Sequence, residues 1–184
     1  MSGQLPLAAW ESVEAPVRAP VRLIVLGALD RGDDALGPLA IEALRAGSDG
    51  PAALALVDLR LAGHLDVLDL VDAPAGTACL IVDAARGLAP GTVAFLPFET
   101  FLAPGHGDLP EPRSSHEMPV GTVLQLAQVM RGTLPHGGFI VCGATSFGLG
   151  EPLSPAILAA VPELAAVVAQ LVRQYARPAL AGSH

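Results

Sequence analysis

The chain has 184 residues and a formal charge of −8, with 52% hydrophobic residues but only 4% aromatic ones. Its acidity disfavours nucleic acid and anionic membrane surfaces as partners, because both would repel it. It contains no lysine, and all ten basic residues are Arg. That excludes a Walker-type phosphate loop, Schiff-base chemistry and the lysine that a phospho-accepting signalling domain needs after its last strand.

At this length a single α/β domain buries a sizeable core, and the abundance of Ala, Val and Leu suits a sheet covered by helices on both faces. Residues 1–20 read as a flexible leader: they carry Glu11 and Glu14 and lack the basic start of a secretory signal. Residues 178–184 read as a disordered tail, leaving residues 21–177 as the domain. Cys79 and Cys142 each fall in an apolar run without metal-site spacing, the pattern of buried free thiols. The apolar stretch over residues 152–172 is broken by Pro155 and Pro162 and charged by Glu163, so no membrane span is expected and a cytoplasmic location is.

Residues 22–29 predict a first buried strand. Residues 33–46 predict a helix with Leu36, Leu39, Ala40, Ala43 and Leu44 on one stripe. A second strand is expected over residues 53–59, ending near Asp58. A short helix over residues 63–71 should follow, with Leu65, Leu68 and Val71 inward. Residues 78–83 give the third and strongest strand. The turn over residues 86–91 is too short for a crossover helix, so the fourth strand, residues 92–96, is expected to be antiparallel. Residues 99–117 hold three prolines, two glycines and two histidines. So long an irregular stretch inside a compact domain usually serves function or is disordered. Helical spacing returns over residues 119–130, and a fifth strand is expected over residues 138–144. Ser154-Pro155 and Pro162 each resemble a helix start, which predicts a terminal helical pair with Leu164, Val168, Leu171 and Tyr175 on one face. The sum is a three-layer α/β fold, a mostly parallel mixed sheet of about five strands between helices. Gly27-Ala28-Leu29-Asp30 offers no glycine-rich phosphate cradle, which disfavours a nucleotide-binding domain.

Asp33 and Asp34 follow the first apolar run, and Asp83 ends the third. Ligands of open α/β sheets bind at the carboxyl ends of strands. If the first and third strands are neighbours, both acids open onto one edge. His116, in Ser114-Ser115-His116-Glu117 before a helix, then comes within reach. Two carboxylates and an imidazole suit a borderline divalent metal such as zinc or nickel, with positions left open for a substrate. Spacing alone leaves plainer readings open. Asp33 or Asp34 would serve as a helix cap, Asp83 would hold a turn through backbone N–H groups, and His116 would be a solvated loop residue.

Four segments in order carry a resemblance. Val25-Leu26-Gly27 through Arg31-Gly32-Asp33-Asp34-Ala35-Leu36-Gly37-Pro38-Leu39 is similar to the opening of the hydrogenase maturation endopeptidases. So are Ile81-Val82-Asp83-Ala84-Ala85-Arg86-Gly87-Leu88-Ala89-Pro90-Gly91-Thr92-Val93 and Ser114-Ser115-His116-Glu117. Residues 146–155, Ser-Phe-Gly-Leu-Gly-Glu-Pro-Leu-Ser-Pro, resemble the family's terminal motif. The resemblance runs from about residue 22 to residue 172. One departure is plain: where the family usually has Gly-x-Gly-Asn, this chain reads Gly27-Ala28-Leu29-Asp30-Arg31, two residues shorter and without the asparagine. The backbone leading to Asp34 therefore takes a different path.

The resemblance implies a five-stranded mixed sheet flanked by helices. It also implies a metal-assisted endopeptidase that removes the C-terminal extension of a [NiFe]-hydrogenase large-subunit precursor after nickel insertion. Its metal-contacting and catalytic set carries over to Asp34, Asp83 and His116, with nickel brought by the precursor and no cofactor bound elsewhere. The expected partner is that precursor, with no nucleic acid or membrane, and the expected state is a monomer. Asp33 either orients the site or serves as base. Ser114 and Ser115 precede His116 without a triad order, so no serine nucleophile is expected. Residues 99–113 are the candidate entry for the substrate tail. The alternative is a non-cleaving paralogue that binds the large subunit as a chaperone, motivated by the shortened first loop.

Overall fold

The computed structural model describes residues 20–103, 110–112 and 118–177. The leader, the tail and residues 113–117, with His116, lie outside them. β1 (Val21–Leu26) is buried along its whole length, as a central strand of a covered sheet must be. It pairs in parallel with β2 (Val57–Ala62) on one side and β3 (Ala78–Arg86) on the other. β3 pairs in parallel with β6 (Gly137–Gly143), and β4 (Val93–Pro97) runs antiparallel along β6. The strand order is β2-β1-β3-β6-β4, the expected mixed and mostly parallel α/β sheet with the first and third strands adjacent. A two-residue strand, β5 (Glu111–Pro112), pairs antiparallel with the end of β3.

Strand alternation sends side chains to two cores. On one face α1 (Leu36–Ala46) and α5 (Pro155–Tyr175) cover Leu23, Val25, Leu80, Val82 and Ile140. On the other face lie α3 (Val67–Val71), α4 (Val120–Arg131) and a 3-10 turn at Phe98–Leu102, packed on Ile24, Leu26, Ile81 and Phe139. Few aromatics are present, and three of them meet here: Phe139 takes Phe98 and Phe101 edge-to-face at 5.5 and 5.2 Å. Each such fully buried ring contributes roughly 2–3 kcal/mol through burial.

Two arginines, Arg22 buried and Arg131 partly buried, tie this second layer together. Arg22, 5% exposed, pairs with Asp58 at 2.9 Å and donates to the Asp69 carbonyl of α3. Arg131, at the end of α4, lies within hydrogen-bond distance of the Leu70, Val71 and Ala73 carbonyls and so caps α3.

Several boundaries differ from the sequence expectation. Residues 53–54 close a short helix, α2 (Gly50–Leu54), and the second strand starts later, with Asp58 opposite Arg22 rather than at a strand end. The first strand stops at Leu26, and the helix expected from Asp33 begins as a 3-10 turn, Gly32–Ala35. On α1 the buried stripe includes Ile41, while Leu39 and Ala43 are only partly buried. On α3 it is Leu70 that is buried, whereas Leu68 is 49% exposed. The expected terminal pair is one helix of 21 residues. Pro162 lies inside it and cannot donate to the Leu158 carbonyl, but both residues are exposed, so the missing bond falls on the water side. α5 has the length and composition of a membrane span, but Ile157, Leu164, Val168, Leu171 and Val172 are spent in the core.

Candidate functional site

The turn between β1 and α1 brings both acids of the pair inside the protein: Asp33 is 0% and Asp34 9% exposed. Gly27 makes this possible. Its φ of 125° is one that other residues rarely adopt, and a Cβ there would collide with the Asp34 carbonyl oxygen. The chain thus folds back on itself, with the Asp34 N–H donating to the Arg31 carbonyl. The Ala28 N–H donates to Asp34 Oδ2 at 3.1 Å. Neither acid is the residue preceding a helix: Arg31 and Ala35 occupy those positions, and neither carries a capping side chain.

Asp83 is 1% exposed. It is not a turn residue, because β3 continues past it to Arg86 with Asp83 opposite Val141 of β6. Alternation puts it on the face of Ile81 and Ala85, toward α4. Val25 is opposite Val82, so Asp83 falls level with the end of β1, and the 3-10 turn bearing Asp34 packs against β3. Both acids are thus buried toward the same end of the sheet.

β5 occupies the space beside β3 beyond the end of β1, with Pro112 opposite Ala85. His116 is four residues beyond Pro112 in the chain and lies outside the described residues. Among the described residues no three His, Cys, Asp or Glu side chains gather as a metal set, and His116 is outside that group.

Asp33 has a role that spacing did not reveal. Its Oδ2 accepts from the Thr145 and Ser146 N–H groups, each at 3.0 Å, and its Oδ1 from the Ser154 N–H at 2.8 Å. Its own N–H donates to the Ser146 carbonyl at 2.7 Å. Burial opposes ionisation, but these N–H groups outweigh it and hold the carboxyl below the ordinary carboxylate range. The segment so gripped, residues 145–154, is the terminal motif. Within it Ser146 Oγ and the Gly148 N–H both donate to Glu151, and the Phe147 ring lies under the Arg86 guanidinium at 5.1 Å. Only long-range contacts define this arrangement. The one sequence signal was that both segments carried motifs.

A sequence model of the family described as Hydrogenase maturation protease (HycI) matches residues 38–171, a span that includes Asp83 and His116 and begins after Asp34. Among solved structures, the [NiFe] hydrogenase maturation protease HycI from Thermococcus kodakarensis has a TM-score of 0.59 at 23% identity, over 86% of this chain and 95% of that one. The hydrogenase maturating endopeptidase HybD from Escherichia coli has a TM-score of 0.59 at 18% identity, over 84% and 92%. HycI from Escherichia coli has a TM-score of 0.56 at 23% identity, over 82% and 89%. At these identities the structural likeness shows a shared fold. Comparison with curated protein sequences gives no match.

Proposed function

Since the chain belongs to the hydrogenase maturation protease family, we propose that it is a nickel-dependent endopeptidase. It would remove the C-terminal extension of a [NiFe]-hydrogenase large-subunit precursor, with Asp34, Asp83 and His116 contacting nickel already seated in that precursor. The observation that carries this reading is the burial of Asp34 in the turn after β1 and of Asp83 on the adjacent parallel strand β3, level with the end of β1. His116 follows β5 by four positions in the chain, and β5 pairs with the end of β3, which supports including it in the set. Two carboxylates and an imidazole form a hard and borderline donor set that suits nickel and leaves positions for the precursor's own ligands.

In this reading the metal belongs to the substrate, and this protein's task is to seize it and so fix the scissile peptide. When bound, nickel supplies Lewis-acid polarisation. Asp34 and Asp83 would hold the metal from one side, where burial strengthens the attraction between a carboxylate and a cation. Water oxygen adds to the peptide carbonyl carbon, the C–N bond breaks, and the departing amine takes a proton. Asp33 is a poor base for that step, because its oxygens are engaged by three backbone N–H groups and it stays ionised. The work is assigned to the cytoplasm and to a monomer.

A second reading has its own observation. The family match begins after the first loop, whose path through Gly27 lacks the usual asparagine. A non-cleaving paralogue would hold the large subunit without cutting it. Intact mass of the nickel-loaded precursor after incubation separates the two readings. Loss of a C-terminal fragment supports the protease, and an unchanged mass within a stable complex supports the paralogue.

A further inference from the structure

The loop carrying Asp34 is short, and bonds of its own include the Asp34 N–H to the Arg31 carbonyl, the Arg31 N–H to the Ala28 carbonyl, and the Ala28 N–H to Asp34 Oδ2. Further fastenings come from residues 145–154, which lie across it as a strap. Asp33 grips both ends of the strap, taking Thr145 and Ser146 on one oxygen and Ser154 on the other. The middle of the strap is fixed by the Gly150 N–H, which donates to the Asp30 carbonyl at 2.7 Å. Gly32, at φ 56°, admits the strap so closely that a Cβ there would stand 2.7 Å from Ser146 Oγ. Each of these contacts falls within four residues of Asp34, on the chain that aims its carboxylate.

We propose that Asp33 is a positioning residue. By clasping residues 145–154 it fixes the direction of the Asp34 carboxylate, so that the terminal motif acts on the reaction through this clasp. The proposal rests on Asp34 being a metal-contacting residue as read above, and it has a consequence that can be measured without any cleavage. The Ala28 N–H to Asp34 Oδ2 bond reports the carboxylate's direction, and it should loosen when the clasp is opened.

Two variants open the clasp in different ways. Asp33→Asn keeps the shape but replaces one acceptor oxygen with a donor facing N–H groups. Ser154→Pro removes the Ser154 N–H, together with the hydroxyl beside Asp33, and leaves the carboxylate intact. Ser154 has φ −69°, which proline adopts, and its side chain does not cap α5. The measurement is amide hydrogen exchange on the full-length variants, read at Ala28 and across β3. Exchange at Ala28 is expected to rise at least about tenfold in both variants while β3 stays protected. On nickel-loaded precursor, kcat is expected to fall by about 10²-fold with KM within about threefold of the parent protein.

Unchanged exchange at Ala28 in both variants would overturn the clasp. So would a kcat that survives below the melting temperature of the variant, as a merely stabilising Asp33 would give. If the parent protein itself leaves the precursor uncut, the protease reading fails, and exchange at Ala28 still decides the clasp.

Discussion

Ser154 and Asp33 are 121 positions apart in the chain, yet the Ser154 N–H donates to Asp33 Oδ1 at 2.8 Å. With Thr145 and Ser146 on the other oxygen, this is a charge-assisted bridge between the first loop and the last, made at a side chain with no solvent exposure. Removing it strands three N–H groups whose partner has gone. Asp33→Ala is therefore expected to cost about 3 kcal/mol or more, well above a typical surface substitution. Urea denaturation followed by circular dichroism measures it, and a loss under about 1 kcal/mol would mean that water replaces the carboxylate freely.

Acid should act on the same bridge. Asp33 is held below its ordinary range despite burial. Asp58 is too, where burial again opposes ionisation but hydrogen bonds from Arg60 and Arg22 outweigh it. For a carboxyl whose folded pKa is depressed, the stabilisation is fully present above the unfolded value of about 3.9 and is lost as pH falls through the folded value. The melting temperature should thus hold between about pH 5 and 7 and decline below about pH 4. The decline should be shallower in an Asp33→Asn, Asp58→Asn double variant, whose starting stability is lower. An equally steep decline in that variant would assign acid sensitivity to other carboxylates.

Gly27 makes a backbone prediction. A Cβ at φ 125° against the Asp34 carbonyl forces either the loop or the 3-10 turn to move. Gly27→Ala is expected to destabilise the fold by about 2 kcal/mol or more and to reduce precursor processing further than stability alone explains. A variant with parental melting temperature and parental processing would show that this turn tolerates another path.

The two thiols should be silent. Cys79 and Cys142 are free and buried, and burial pushes each up to about 11. Alkylation at pH 8 should label neither in the native protein and both in denaturant, since the thiolate is the reactive form. Mass spectrometry reads the outcome, and rapid native labelling at either residue would contradict the packing around it.

The mostly parallel sheet was legible because buried strands without alternation, such as residues 21–26 and 78–86, belong in the middle of a covered sheet, whereas its strand order was not. The antiparallel β4 was legible because residues 87–92 leave no room for a crossover. Asp34 and Asp83 stood out as acids at the expected ends of such runs; both are buried, and Asp83 lies inside its strand rather than after it. The terminal helix was misjudged at Pro162, since a proline whose missing bond faces water need not end a helix already packed along its other side. α2 was missed because Ala53 and Leu54 look as apolar in a helix as in a strand. The role of Asp33 was beyond reach of local reasoning, because its partners are more than a hundred positions away.

The central claim is that Asp34, Asp83 and His116 act together on nickel carried by the precursor. The most direct measurement is intact mass of nickel-loaded and nickel-free large-subunit precursor incubated with the parent protein and with Asp34→Asn, Asp83→Asn and His116→Ala. Loss of a C-terminal fragment is expected only with nickel and only with the parent protein, each variant being slowed by at least about 10²-fold. Cleavage that persists through all three substitutions, or that proceeds equally without nickel, would contradict it.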